Sequence, residues 1–89
     1  MNTPTQQPQN LEPLKLTELG TYRHYKGNLY EVVGTARHSE TLEAMTVYKT
    51  LYGNPQEQQQ LWVRPQKMFI EEVLVNGKIE PRFSKVNHS

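Results

Sequence analysis

The pattern of apolar and polar residues divides the chain into a polar opening and a body of short alternating segments. The opening MNTPTQQPQNLEP holds three prolines and five Gln or Asn residues, too little apolar surface to offset the entropy of ordering it. From Gly20 onward, β-branched and aromatic residues recur between turn signals, which predicts an all-β domain. We predict a disordered Gln/Pro-rich tail over 1–15, one barrel domain over 16–84 and a flexible C-terminus over 85–89.

The last hairpin gives the strongest local signal. Asn76 and Gly77 lie between two apolar runs, and both residue types tolerate the positive φ that a type I′ turn requires. A two-residue loop at this point pairs Val75 with Lys78. The same register places Leu74 opposite Ile79 and Ile70 opposite Phe83 on an apolar face, and Glu71 opposite Arg82 and Val73 opposite Glu80 on the other face.

Glu72 does not fit this pattern, because the register puts it on the apolar face opposite Pro81. Pro81 has no N–H and should lie on an edge of the sheet. Either a bulge turns Glu72 outward, or Glu72 is a buried acid with a partner.

The first hairpin leaves its register open. A two-residue type II′ loop at Gly27 and Asn28 pairs Tyr25 with Tyr30 and His24 with Glu31. A three-residue loop pairs Arg23 with Glu31 instead. Gly34, in the middle of the second strand, predicts a bend or bulge where the strand curls.

The middle of the chain completes the architecture. SETLEAM, with Ser39 as a possible N-cap, predicts a short helical turn, and TVYKTLY and LWVRP predict strands. GNPQEQQQ is typical of a polar surface loop, and PQKMF is typical of a tight connection. The sum is five to six antiparallel strands and one short helical turn, for which a small SH3-like β-barrel is the natural arrangement.

Composition narrows the function classes. The chain has no cysteine, so disulfides and thiolate zinc sites are excluded. Its net charge of +1 is too balanced to indicate nucleic-acid binding by bulk electrostatics. No apolar run is long enough to span a bilayer and no signal peptide is evident, so we expect a cytoplasmic protein. We expect no cofactor and no metal, and either a monomer or a weak homodimer.

His38, Ser39 and Glu40 are the residue types of a hydrolase triad, in three consecutive positions. Neighbours in an extended chain point to opposite faces, so Ser39 cannot meet both of the others and a triad is excluded. His38 and Glu40 do share a face in an extended chain. A small enzyme that uses them as an acid–base pair is therefore the alternative hypothesis.

The main hypothesis is a non-enzymatic binding module. Basic and aromatic residues are frequent for so small a domain, and together they suit peptides, nucleic acids or small anionic ligands. The alternative to ligand binding for Tyr30, Tyr48 and Trp62 is a role in the core. The alternative for the arginines is an ion-pair network with glutamates. The candidate ligand-binding residues are Arg23, His24, Tyr25, Arg37, His38, Glu40, Tyr48, Trp62 and Arg64.

The stretches YRHYKGNLYEVVGTARHSETLEAMTVYKTLYG, LWVRPQKMF and VNGKIEPRF together resemble the bacterial family called domain of unknown function 1653. The resemblance extends from Tyr22 to Phe83, which is nearly the whole predicted domain. It implies a small bacterial protein with an SH3-like barrel, and it implies no particular reaction or ligand. The Gln/Pro-rich opening and the Gln-rich loop at 54–60 depart from the family pattern without touching these motifs.

Overall fold

A computed structural model describes residues 13–86, in which seven strands and two one-turn helices occur. In chain order these are β1 (Gly20–His24), β2 (Leu29–Arg37), β3 (Ala44–Thr50), α1 (Pro55–Gln58), β4 (Trp62–Pro65), α2 (Gln66–Phe69), β5 (Glu72–Val75), β6 (Lys78–Pro81) and β7 (Phe83–Lys85). Five strands form one antiparallel sheet in the order β4-β3-β2-β1-β7, and β5 and β6 form a separate two-stranded sheet. The predicted all-β class is confirmed.

The division into a tail, a domain and a flexible C-terminus stays a prediction. Residues 1–12 and 87–89, on which most of the two terminal segments fall, lie outside the described residues. At the described margins, the carbonyl of Lys15 accepts a hydrogen bond from Gln66 Nε2 at 2.5 Å. Val86 N donates to the carbonyl of Thr21 at 2.8 Å.

The five-stranded sheet is not closed into a barrel, since β4 and β7 are its two edges and do not pair with each other. The sheet nevertheless coils. The guanidinium carbon of Arg64 on β4 lies 5.6 Å from the ring centroid of Phe83 on β7. A side-chain contact therefore joins the two edge strands, which share no backbone hydrogen bonds. The predicted SH3-like barrel is therefore not confirmed.

The strand count exceeds the predicted five to six because the last predicted strand is split in two. Pro81 ends β6, the chain bends at Arg82, and Phe83 begins β7. Proline has no N–H to continue a ladder. β7 therefore leaves the hairpin and pairs with β1 in the main sheet.

The register of the β5–β6 hairpin is confirmed. Val75 pairs with Lys78, and Asn76 and Gly77 both have positive φ, at 51° and 79°. Arg82 N donates to the carbonyl of Glu71 at 2.9 Å, which extends the ladder by one pair.

Within β5 and β6 the predicted apolar face points into solvent, whereas Phe83, which was predicted on the same face, is buried in the core. Leu74 is 73% exposed and Ile79 is 68% exposed, whereas Val73 and Val75 are half-buried. Both explanations for Glu72 are therefore wrong. It pairs with Pro81 without a register shift, and it is exposed because its whole face is exposed.

Both registers considered for the first hairpin are wrong. Tyr22 pairs with Tyr30 and Arg23 with Leu29. His24 closes the loop, because its N–H donates to the Asn28 carbonyl at 2.8 Å and its carbonyl accepts from Gly27 N at 2.7 Å. Residues 25–27 form the loop, and Gly27 at φ +112° supplies the left-handed conformation that a larger residue would resist.

The bulge expected near Gly34 is confirmed by a register shift between Val32 and Gly34 in the β2–β3 pair. The helical turn predicted after Ser39 is wrong. Residues 39–41 form a turn, and Ala44 already belongs to β3, where pairing with β2 satisfies the backbone that a helix would otherwise satisfy.

The two observed helices are α1 and α2, in segments predicted as loop and connection. In α1, Asn54 Oδ1 accepts from Glu57 N at 2.9 Å and Glu57 Oε1 accepts from Asn54 N at 2.8 Å, a complete capping box. Residues 54–60 are exposed apart from the half-buried Gln58, as expected of a polar surface segment.

The core is aromatic and lies against one face of the main sheet. Phe69, which α2 carries over the sheet, stacks on Phe83 with ring centroids 4.1 Å apart and planes 7° apart. Tyr22 meets Phe69 edge to face at 5.2 Å. Such pairs add about 0.5–1.5 kcal/mol each to the benefit of burial. The buried apolar residues are Tyr22, Val32, Tyr48, Phe69 and Phe83.

Candidate ligand-binding site

Cross-strand pairing builds an aromatic face at one end of the main sheet. Tyr30 on β2 pairs with Tyr22 on β1 and with Thr50 on β3. Tyr48 on β3 pairs with Trp62 on β4. Since residues directly opposite each other in a ladder share a face, these side chains all lie on the face that carries the core.

A cleft of about 220 Å³ opens on this face, lined by Tyr30, Tyr48, Thr50, Tyr52 and Trp62. Tyr48 forms its base and is 7% exposed, whereas Tyr52 and Trp62 form its rim and are 43% and 49% exposed. Tyr30 contacts Tyr48 and Tyr52 edge to face, with centroids 5.5 Å and 5.6 Å apart. The cleft thus presents aromatic surface directly to solvent.

Tyr30 and Tyr52 also join through their hydroxyl groups, which share a hydrogen bond of 3.1 Å. Burial, this hydrogen bond and the nearby Tyr52 and Tyr48 raise the pKa of Tyr30 to about 12. The Tyr30 hydroxyl is therefore protonated at neutral pH. It is engaged in side-chain hydrogen bonds with Tyr52 and Asn28.

His24 lies beside the cleft, at the end of β1. Its ring is 6.3 Å from Tyr30, 4.9 Å from Phe83 and 4.5 Å from Tyr25. Its Nδ1 accepts from Lys26 N at 3.2 Å, which places the proton of the neutral ring on Nε2.

The charged side chains that act on His24 all have the same sign. Burial lowers the pKa of His24 below its ordinary value of 6.5, and the positive charges of Arg64, Arg82 and Lys26 lower it further. The charges that shift this imidazole are all cationic, although the whole chain carries only +1. This end of the sheet is therefore a local positive region.

Arg64 and Arg82 differ in how they are paired. Arg82 Nη2 forms an ion pair with Glu71 Oε1 at 3.2 Å. Arg64 belongs to none of the ion pairs among residues 13–86 and lies over the ring of Phe83. In both side chains Nε is buried without a hydrogen-bond partner in the described part of the chain. Arg64 is thus a cation that no described carboxylate neutralises.

Arg37, His38 and Glu40 lie at the opposite end of the β2–β3 ladder, where Arg37 pairs with Ala44. Arg37 is seven positions further along β2 than Tyr30, which corresponds to about 20 Å. His38 Nδ1 accepts from the backbone N–H groups of Glu40 and Thr41, at 3.1 Å and 3.2 Å. His38 therefore stabilises a turn. At Glu40 it bonds the backbone N–H rather than the carboxylate.

Arg37 also stabilises this turn, because Arg37 Nη1 donates to the carbonyl of Leu42 at 3.0 Å. His38 and Glu40 are both exposed. An acid–base pair enclosed in a pocket, on which the enzyme hypothesis depends, is thus not formed by these described side chains. Glu31 forms an ion pair with Lys49 at 3.9 Å and Glu43 forms one with Lys67 at 3.5 Å.

The structure therefore separates the nine candidate residues into groups. His24, Tyr25, Tyr48 and Trp62 lie at the aromatic end, and Arg37, His38 and Glu40 lie at the far end. Arg64 lies between them on β4, opposite Thr46, with its guanidinium over Phe83. Arg23 is exposed and pairs with Ser84 and Leu29 on the opposite face of the sheet from His24.

Four residues of this end are absent from the nine candidates, although Tyr52 was among the basic and aromatic residues from which the candidates were drawn. Tyr30 was assigned to the core, although it also lines the cleft. Thr50 and Tyr52 share a strand face with Tyr48 in the alternating pattern, a signal sufficient to find them. Arg82 was placed on the charged side of the last hairpin, and only the bend after Pro81 brings it near His24.

A second cleft of about 210 Å³ lies where the segment before β1 crosses α2. It contains none of the nine candidate residues. Its lining residues are Lys15, Leu16, Thr17, Glu18, Tyr22, Gln66 and Ile70.

Within residues 13–86, no three His, Asp or Glu side chains gather closely enough to share a metal ion. Over the same residues, no helix has the length and apolar character needed to cross a membrane.

The molecule is thus a small all-β domain whose open, coiled sheet carries an aromatic cleft beside a positive region. A family model described as protein of unknown function (DUF1653) matches residues 20–85. The chain belongs to this family, as the motifs predicted. A crystal structure of a DUF1653 protein from Bordetella bronchiseptica is 36% identical, with a TM-score of 0.71 over 82% of this chain and 91% of that one. Among curated proteins, none matches this chain significantly.

Proposed function

We propose that this protein is a non-enzymatic binding module and that its ligand-binding site is the cleft formed by Tyr30, Tyr48, Thr50, Tyr52 and Trp62. The single observation that supports this most is the half-exposed Trp62 on the rim of an aromatic cleft. An indole in such a position offers a large rigid contact surface at low entropic cost.

Charge supports an anionic ligand. Arg64, Arg82 and Lys26 all act on His24 beside the cleft, and Arg64 has no carboxylate partner in the described chain. A planar or apolar group in the cleft together with an anion near Arg64 would use both features. Peptides, nucleic acids and small anionic metabolites each contain such combinations.

We further propose that the open sheet is a variant of the SH3-like barrel, with its edges bridged by side chains instead of hydrogen bonds. The contact of Arg64 with Phe83 supports this. We also propose that the protein acts in a bacterial cytoplasm. Its similarity to a protein from Bordetella bronchiseptica supports the bacterial origin.

Trp62 provides the test, because it is the only tryptophan in the chain. Its fluorescence should be followed during titration with a panel of proline-rich peptides, phosphopeptides, nucleotides and oligonucleotides. We expect at least one class to quench or blue-shift the emission with saturation. Trp62→Phe should abolish most of the binding by calorimetry, whereas Val63→Ala, on the other face of β4, should not. Absence of any saturable change across the panel would contradict the proposal.

A further inference from the structure

The strand β4 carries an aromatic and a cationic residue on the same face. Trp62 and Arg64 are two residues apart on this strand and pair with Tyr48 and Thr46, which share a face of β3. Two residues of strand span about 7 Å. Arg64 is outside the lining of the cleft and its guanidinium lies over Phe83, so a ligand that stacks on Trp62 would reach it with a group that extends out of the cleft.

The cleft is small enough to select among ligands. Its volume of about 220 Å³ lies below the ~300–1,000 Å³ of pockets for drug-sized molecules. One planar ring system is therefore the natural occupant. The hydroxyls at its wall are already bonded, Tyr30 to Tyr52 and Thr50 to the Tyr52 carbonyl, so polar ring edges would meet their remaining lone pairs.

Charge decides between the remaining ligand classes. A cationic group, such as a methylated amine, would be repelled by Arg64, Arg82 and Lys26, which already oppose protonation of His24. A proline-rich peptide would use the aromatic rings and leave the cations without a role. A phosphopeptide would use the cations and leave most of the aromatic wall without a role.

A nucleotide uses both parts, since a base stacks on aromatic rings and its phosphate pairs with arginine. We propose that the cleft binds one nucleotide unit, with the base against Trp62 and Tyr52 and the phosphate at Arg64. The unit is either a free nucleotide or one residue of a single strand. This inference rests on the proposed function and specifies its ligand class.

The test compares uridine, uridine 5′-monophosphate, inorganic phosphate and an eight-nucleotide oligo(U) RNA by Trp62 fluorescence at low salt. We expect the monophosphate to bind about ten-fold more tightly than uridine, because only the monophosphate engages Arg64. Arg64→Gln should reduce the monophosphate to the affinity of uridine, and Arg64→Lys should restore part of the difference. Lys78→Gln, which removes one positive charge at the exposed hairpin tip, is the matched control and should leave both affinities unchanged.

Salt dependence separates the two sources of the ligand. If a single strand is bound, the octamer should bind more tightly than the monophosphate. Its affinity should then fall steeply with salt, with a slope of log K against log salt concentration near −0.7 per phosphate contacted. If the octamer binds no better than the monophosphate, a free nucleotide is the ligand.

Equal affinity for uridine and its monophosphate, or an unchanged preference in Arg64→Gln, would overturn the inference. Saturable binding of a peptide at Trp62 without any binding of nucleotides would overturn it too, and would leave the proposed function intact. Failure of every probe, peptides included, would remove both.

Discussion

The two ends of the β2–β3 ladder have the same local hydrogen-bond arrangement around a histidine, in different surroundings. At each end a histidine Nδ1 accepts backbone N–H groups two or three residues ahead, His24 from Lys26 and His38 from Glu40 and Thr41. His24 also packs against Phe83 and Tyr30 and faces cations, whereas His38 is exposed. The residue type and the local hydrogen bond are therefore insufficient to define a site. Tertiary packing makes one end a candidate site and the other a turn.

The largest expected difference between the ends concerns stability. Phe83→Ala removes the ring that stacks on Phe69 at 4.1 Å and that contacts His24 and Tyr30. Such truncations cost about 3–5 kcal/mol of unfolding free energy. A domain of this size without disulfides has little more than that to lose.

We therefore expect Phe83→Ala to be largely unfolded in urea titrations followed by circular dichroism. Phe83→Leu, which retains apolar volume, should stay folded and lose less. Glu40→Ala, at the far end, should stay within about 0.5 kcal/mol of the parent protein. A loss below about 1 kcal/mol in Phe83→Ala would show that the aromatic end is not the stability core.

An intermediate effect is expected at the far end. His38→Ala leaves two backbone N–H groups without their side-chain acceptor and should cost about 1 kcal/mol, comparable to the loss of an N-cap. Asparagine can accept from the same kind of turn, so His38→Asn should recover most of the loss. Denaturation curves of these variants would contradict the structural role if His38→Asn and His38→Ala were equally unstable. Ser39→Ala is the control and should be neutral.

The smallest expected effect is the pH dependence of stability from His24. Its pKa is lowered in the folded state, first by burial and then by Arg64, Arg82 and Lys26. The unfolded chain therefore binds more protons as pH falls below the ordinary value of 6.5. Stability is fully present above that value and is lost as pH falls through the folded pKa.

Urea titrations at about pH 7.5 and about pH 5.5 should show a larger drop in stability for the parent protein than for His24→Gln. The comparison cancels the contributions of the other histidines. An equal drop in both proteins would mean that His24 is not held neutral by its surroundings.

Local rules predicted the parts of the fold that depend on local chemistry. Asn76 and Gly77 determine the last hairpin because both adopt positive φ, and its pairing register was confirmed. Gly34 in the middle of a strand pattern marks the bulge, where the β2–β3 register shifts. The direction that this hairpin faces was not predictable from its alternation, because Leu74 and Ile79 form an apolar face that the main sheet does not cover.

The candidate site was predictable only in part. Tyr48 and Trp62 follow from strand alternation, and the structure places both in one cleft. His24 and His38 were grouped in one predicted site, whereas the antiparallel register places them at opposite ends of the sheet. The contact between Arg64 and Phe83 depends on coiling of the whole sheet, which brings two edge strands together.

The most direct test of the central claim is a two-dimensional amide NMR titration of the full chain with the ligand that perturbs Trp62 fluorescence. We predict shift changes at the Trp62 indole N–H and at the amides of Tyr30, Tyr48 and Arg64, with none over residues 37–41. Changes confined to residues 37–41, with the Trp62 indole unaffected, would contradict the assignment of the binding site to the aromatic end.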